Sequence, residues 1–90
     1  MATINFEHLV FDHIVEFTTD STLFAVAREN NSGHLRIFLV NQTSGNIYTR
    51  NGRADSWEQL GITQKYSVQV KLIAARHNRI PVYRIKGAHQ

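Results

Sequence analysis

Short apolar, β-favouring runs separated by polar turn clusters dominate this chain. Thr22 to Arg28 and Leu35 to Val40 flank the polar cluster Glu29-Asn30-Asn31-Ser32-Gly33, which predicts two strands around a glycine-containing loop. A second turn cluster, Asn41-Gln42-Thr43-Ser44-Gly45, precedes the alternating segment Asn46-Ile47-Tyr48-Thr49-Arg50, a third strand. Asn51-Gly52 signals another turn. Beyond it, Ala54-Asp55-Ser56-Trp57-Glu58-Gln59-Leu60-Gly61 has a capping-type residue before it and glycine after it, which predicts one or two helical turns near 55–60.

The clearest alternation lies in Tyr66 to Ala74, with Tyr66, Val68, Val70, Leu72 and Ala74 on one side and Ser67, Gln69 and Lys71 on the other; it predicts a long strand with one buried face. Ile80-Pro81-Val82-Tyr83-Arg84-Ile85 follows. Its proline lacks an N–H, so this strand belongs at a sheet edge. The first twenty residues fit two periods: Phe6, Val10, Ile14 and Phe17 suit a helical stripe, whereas Leu9, Phe11, Val15 and Phe17 suit a strand face interrupted by His13. β-Branched and aromatic content favours a strand at 13–19, and 3–11 stays open between helix and strand. The expected fold is α+β and mainly β: an antiparallel meander of about five or six strands, as a sheet or partly open barrel, with one short helix near 55–60.

Composition narrows the class. A chain of 90 residues that is 42% hydrophobic and 19% charged fits one small globular domain spanning 1–90 rather than a disordered segment. Cysteine is absent, which removes disulfides, thiolate metal sites, iron–sulfur clusters and cysteine nucleophiles. The longest apolar stretches, Leu9-Val10-Phe11 and Ile37-Phe38-Leu39-Val40, fall far short of the ~18 residues of a membrane helix. No secretory leader is seen, so the expected location is cytoplasmic, with no membrane association.

Charge is unevenly placed within a net of +3. Residues 1–30 hold Glu7, Asp12, Glu16, Asp20 and Glu29 against Arg28; residues 61–90 hold Lys65, Lys71, Arg76, Arg79, Arg84 and Lys86 with no acid. A cationic C-terminal hairpin carrying Lys71, Arg76, Arg79, Arg84 and Lys86, with Tyr66 and Tyr83 interspersed, could follow a nucleic-acid backbone. Alternatively the acidic strand lies beside the basic one and the charges pair internally or across a subunit interface.

A weak repeat places Ser21–Asn41 over Ser67–Gly87, two apolar segments and a loop over two more. Separately, Gly33-His34-Leu35-Arg36-Ile37-Phe38-Leu39-Val40, Gly45-Asn46-Ile47-Tyr48-Thr49-Arg50 and Trp57-Glu58-Gln59-Leu60-Gly61 together resemble one blade of the tectonin-like and fucose-binding β-propeller lectins, over about a third of the chain. The resemblance implies an oligomeric, carbohydrate-binding propeller whose ring closes only when several copies assemble.

Catalytic chemistry finds no anchor. G-x-G-x-x-G, G-K-[ST], G-x-S-x-G and H-E-x-x-H are all missing, and no catalytic, cofactor or metal residue is assigned. Glu16, Arg76, His77 and Arg79 could be assembled into a ribonuclease-type site on paper, but no spacing requires it. A strand would place His8 and His13 on opposite faces and a helix would bring them only loosely together; His34 and His77 sit at turns, and His89 lies in a tail expected to fray. Trp57, the only tryptophan, and the strand residues Tyr48 and Tyr83 are the candidate ligand or partner aromatics. The expectation is a non-enzymatic binding module that self-associates as a dimer or larger homo-oligomer; a protein partner, nucleic acid and carbohydrate are the other candidates, in that order.

Overall fold

The computed structural model describes residues 4–53 and 56–89. A 3-10 turn at Phe6–His8 leads into β1 (Leu9–Phe17), β2 (Thr22–Glu29), β3 (Leu35–Asn41), β4 (Ile47–Asn51) and the short β5 (Glu58–Gln59); helix α1 (Ile62–His77) and β6 (Val82–Ile85) complete the chain. The protein is α+β and mainly β. Its strands form one open sheet in the order β5-β4-β3-β2-β1-β6, antiparallel except for β6, which runs parallel to β1.

The first four strands are a meander whose turns are built by the residue types that favour them. Gly33 and Gly45 adopt φ of +74° and +80°, a region costly for side-chain-bearing residues, and each donates its N–H back to the end of the preceding strand, to Glu29 and Asn41. The mixed periodicity of the N-terminal segment has a local cause. The β1–β2 register shifts between Phe11 and His13, so Asp12 is an inserted residue that lets both Phe11 and Ile14 face the core. His13 then points to the opposite face, with Val15 and Phe17.

Where the sequence predicts a long strand at Tyr66–Ala74, the chain is helical; the region expected to be a short helix contains β5, and Ala54 and Asp55 lie outside the described residues. Val68 and Leu72 are buried and Ala75 packs beside them, four and three residues apart as a helix requires. Ile62, Tyr66, Val70 and Ile73 form a second apolar stripe on the solvent side, 83%, 67%, 46% and 69% exposed. Apolar residues on both faces of the helix create the false alternation. The expected C-terminal hairpin and the weak repeat therefore fail: Ser21–Asn41 forms a β-hairpin, while Ser67–Gly87 spans helix and edge strand.

The crossover geometry explains the helix's length. It must carry the chain from one edge of the sheet to the other, about five strand spacings of ~4.8 Å. Sixteen residues at ~1.5 Å each cover that distance. Arg79, at φ +62°, and Pro81 then stop the helix and turn the chain into β6. Pro81 precedes an edge strand, as its missing N–H demands, and its carbonyl accepts the N–H of Ile14 (2.9 Å).

One face of the sheet is the core face. Leu9, Phe11 and Ile14 of β1, Leu23, Ala25 and Ala27 of β2, Phe38 and Val40 of β3, and Ile47 of β4 meet Val68 and Leu72 in a single cluster, joined by Ile4 and Leu60. Among the described residues no helix or strand is laid across the opposite face, and only Trp57 and His89 pack onto it, at Phe24 and Phe17.

Candidate functional site

The side chains of the uncovered face are not those of an ordinary solvated sheet surface. Cross-strand pairing places Tyr83, Val15, Phe24, Leu39 and Tyr48 in one continuous row from β6 to β4. A second row runs His13, Val26, Ile37, Arg50. Phe17 and Ile85 pair beyond the first row. In a sheet with a watered face these outward positions are usually polar; here the central row carries no formal charge.

The aromatics form an interlocked group at one end. Phe24 stacks with Trp57 (6.1 Å between centroids, 17° between planes) and meets Phe17 edge-on (5.6 Å, 85°). The His89 ring lies 4.8 Å from Phe24 and 5.7 Å from Phe17. The Arg50 guanidinium carbon lies 5.1 Å from the Trp57 ring centre, a cation–π contact. At the other end of the row, Tyr83 meets the His13 ring at 5.9 Å, and His13 Nδ1 is 2.7 Å from Asp12 Oδ2.

His89 thus belongs to the packed structure and does not fray. Its backbone N–H donates to Asp20 Oδ2 (2.7 Å), while Asp20 Oδ1 accepts from Thr22 N–H (3.1 Å). Desolvation tends to raise the Asp20 carboxyl, but the bonds from His89 and Thr22 and the nearby His89 charge outweigh it and hold the pKa below the ordinary 3.8.

The three candidate aromatics, Trp57, Tyr48 and Tyr83, share this one face, although β6 lies far from β4 and β5 in sequence. Trp57 precedes β5 and rests on Phe24 rather than anchoring a helix. The basic candidates are not brought together. Glu16 receives Arg76 (3.2 Å) and Arg84 (3.7 Å), tying helix and edge strand to β1. Lys71 Nζ donates to the carbonyl of Leu9 (3.3 Å), and Arg79 and Lys86 are exposed at separate turns. The paper ribonuclease site likewise reduces to the Glu16–Arg76 pair. The lectin-like segments form three neighbouring strands, β3 to β5, inside a six-stranded sheet with a helix across it.

A second feature escapes a reading of periodicity alone. An open cleft of about 550 Å³ lies at the ends of β2, β3 and β4, lined by residues that include Arg28, Glu29, His34, Arg36, Asn51 and Arg53. Arg36 was detectable as an arginine in phase with the inward residues Phe38 and Val40. Among the described residues no group of three or more potential ligands could hold a metal ion, and no helix is long and apolar enough to cross a membrane. Comparison with protein-family models, curated proteins and solved structures finds no match to this chain.

Proposed function

We propose that the protein is a non-catalytic binding module that self-associates through its open sheet face, two copies packing face to face as a β-sandwich. The uncharged row Tyr83-Val15-Phe24-Leu39-Tyr48 carries this reading. A helix covers one side of the sheet, and an apolar second side calls for a second layer. Five strand spacings by about five residues give a face of roughly 25 × 17 Å, and its relief raises the accessible area to on the order of 600–800 Å² per copy, close to the ~800 Å² of a standard interface. The row itself is uncharged, so packing it against its own copy brings no like charges together within the row, and the nearby Arg50 is already turned onto the Trp57 ring. The setting in this reading is cytoplasmic, a choice that rests on the cysteine-free composition.

Light scattering after size exclusion tests the proposal. The wild-type chain is expected to elute as a dimer at micromolar concentrations with little dependence on salt, and Leu39→Asp, inside the row, as a folded monomer with an unchanged far-ultraviolet spectrum. A wild-type monomer persisting to several hundred micromolar, or a dimer untouched by Leu39→Asp, overturns it.

A further inference from the structure

The cleft at the ends of β2, β3 and β4 carries chemistry that the sheet face does not explain. Three arginines, Arg28, Arg36 and Arg53, and His34 line it against a single carboxylate, Glu29. They come from three places: the end of β2, the β2–β3 hairpin with the start of β3, and the turn after β4. The register brings them together, pairing Arg28 with Leu35 and Arg36 with Asn51.

Arg36 is the unusual member. It is only 6% exposed and occupies a core-facing position of β3, where arginine is almost never found unless fully paired. Its pairing is incomplete: Nη1 donates to Thr49 Oγ1 (3.3 Å), Glu29 Oε1 stands 3.7 Å from Nε, and the buried Nε has no hydrogen-bond partner. Thr49 in turn donates its hydroxyl to the carbonyl of Ile37 (2.9 Å), which fixes the acceptor that holds Arg36. A buried guanidinium with unspent donor capacity is costly unless something anionic shares the site.

The backbone at the cleft offers little to a ligand. The amides of Glu29, Ser32, Gly33, His34, Gly52 and Arg53 are already bonded within the hairpin and turn. Recognition therefore falls to side chains. Arginine forks suit the geometry of phosphate oxygens, and Arg28 and Arg53 are exposed and able to close on an anion from the rim. Glu29 disfavours a bare anion but can accept a hydrogen bond from a hydroxyl carried on the same molecule. A cleft of about 550 Å³ lies within the usual range of small-molecule sites, ~300–1,000 Å³.

We infer that this cleft binds a small phosphate monoester bearing hydroxyl groups, of the size of a sugar phosphate or nucleoside monophosphate, with Arg36 as the fixed anchor and Arg28 and Arg53 as the closing cations. The row Val26-Ile37-Arg50 lies between the cleft and the central apolar row, so Leu39→Asp leaves the lining of the cleft unchanged.

The test is an amide NMR titration of the labelled full-length chain with ribose 5-phosphate and AMP at low ionic strength, with ribose, adenosine and matched sodium chloride as controls. Saturable shifts confined to residues 28–36 and 51–53 are expected for the phosphorylated probes alone, in the millimolar range or tighter. The Arg28→Ala/Arg53→Ala double variant, whose changes fall on exposed side chains, should fold with an unchanged melting temperature and bind at least ten-fold more weakly. The inference is overturned by shifts shared with ribose or adenosine, by an unchanged affinity in the double variant, or by no saturable response. Binding of a 5′-phosphorylated hexanucleotide with no response to the mononucleotide likewise overturns it, since the surface would then follow a nucleic-acid chain.

Discussion

Phe24 and Trp57 lie stacked, their ring centroids 6.1 Å apart and their planes 17° from parallel, although thirty-two residues separate them in the chain. Phe24 is the residue on which Phe17, Trp57 and His89 all converge. Truncating it should free the only tryptophan to meet water. For Phe24→Ala we expect a red shift of Trp57 emission by several nanometres and a loss of about 1–2 kcal/mol of unfolding free energy, the range for a half-buried aromatic with specific ring partners. Fluorescence and urea titration of the same sample check both; an unmoved emission maximum would show that the stack does not shield the indole.

Glu16 pairs the acidic front of the chain with two of the six cations of its last third. It binds Arg76 at the end of the helix and Arg84 on the edge strand, so one carboxylate joins three elements. Its side chain is 18% exposed, against 39% and 67% for the two arginines, so solvent screens much of the attraction. Glu16→Gln should cost about 1 kcal/mol at low salt, and the difference from wild type should shrink in ~1 M salt. If the basic residues were instead a free nucleic-acid surface, removing Glu16 would raise affinity for DNA without altering stability. Parallel denaturation and binding assays separate the two.

The strands of the meander were legible because each is bracketed by its own turn chemistry: the expected 22–28, 35–40 and 46–50 differ from β2, β3 and β4 by about a residue at their ends. The β1 bulge, the helix and the parallel direction of the edge strand were not. A bulge breaks alternation in the way a helix does, and an apolar stripe on the outer side of a helix imitates the alternation of a strand. Both ambiguities are resolved only by long-range packing, against β2 for Asp12 and against the sheet for Val68 and Leu72. Of the candidate site, Trp57, Tyr48 and Tyr83 could be nominated as aromatic types, but their common face depends on a register that spans β6 to β4. The cleft was hidden for the same reason, although Arg36 between apolar neighbours was a local sign of it.

The two stripes of α1 give opposite expectations for substitution. Leu72 is 8% exposed within the core cluster, so Leu72→Ala should cost about 2–3 kcal/mol through lost burial and a residual cavity. Ile73 is 69% exposed, and Ile73→Lys should stay within about 0.5 kcal/mol of wild type. Were this segment a strand, a neighbouring pair would still differ, but Val70, in phase with Leu72, would then be as sensitive as Leu72. In the helix Val70 is 46% exposed, and Val70→Lys should also be nearly neutral. Urea denaturation of the three variants decides between the two patterns.

Asp20 fastens the C-terminal segment over the aromatic group, accepting the N–H of His89 and that of Thr22. Its pKa is held below the ordinary 3.8 in the folded protein, so the unfolded chain takes up the proton first as pH falls. The contribution of the carboxylate is therefore complete above the unfolded value and is lost as pH drops through the lower folded one. Asp20→Asn should destabilise the protein by the same amount at pH 6 and pH 7, and the gap from wild type should narrow once the pH is taken below 3.8. The same titration should release the His89 amide, whose protection from exchange, taken relative to the intrinsic rate at each pH, should fall in the variant at neutral pH and in the wild type only in acid. A gap between the two proteins that stays constant down to the acid transition would mean that the loss in the variant does not come from the charge of the carboxylate, and the absence of any gap would mean that the asparagine amide serves the segment as well as the carboxylate does.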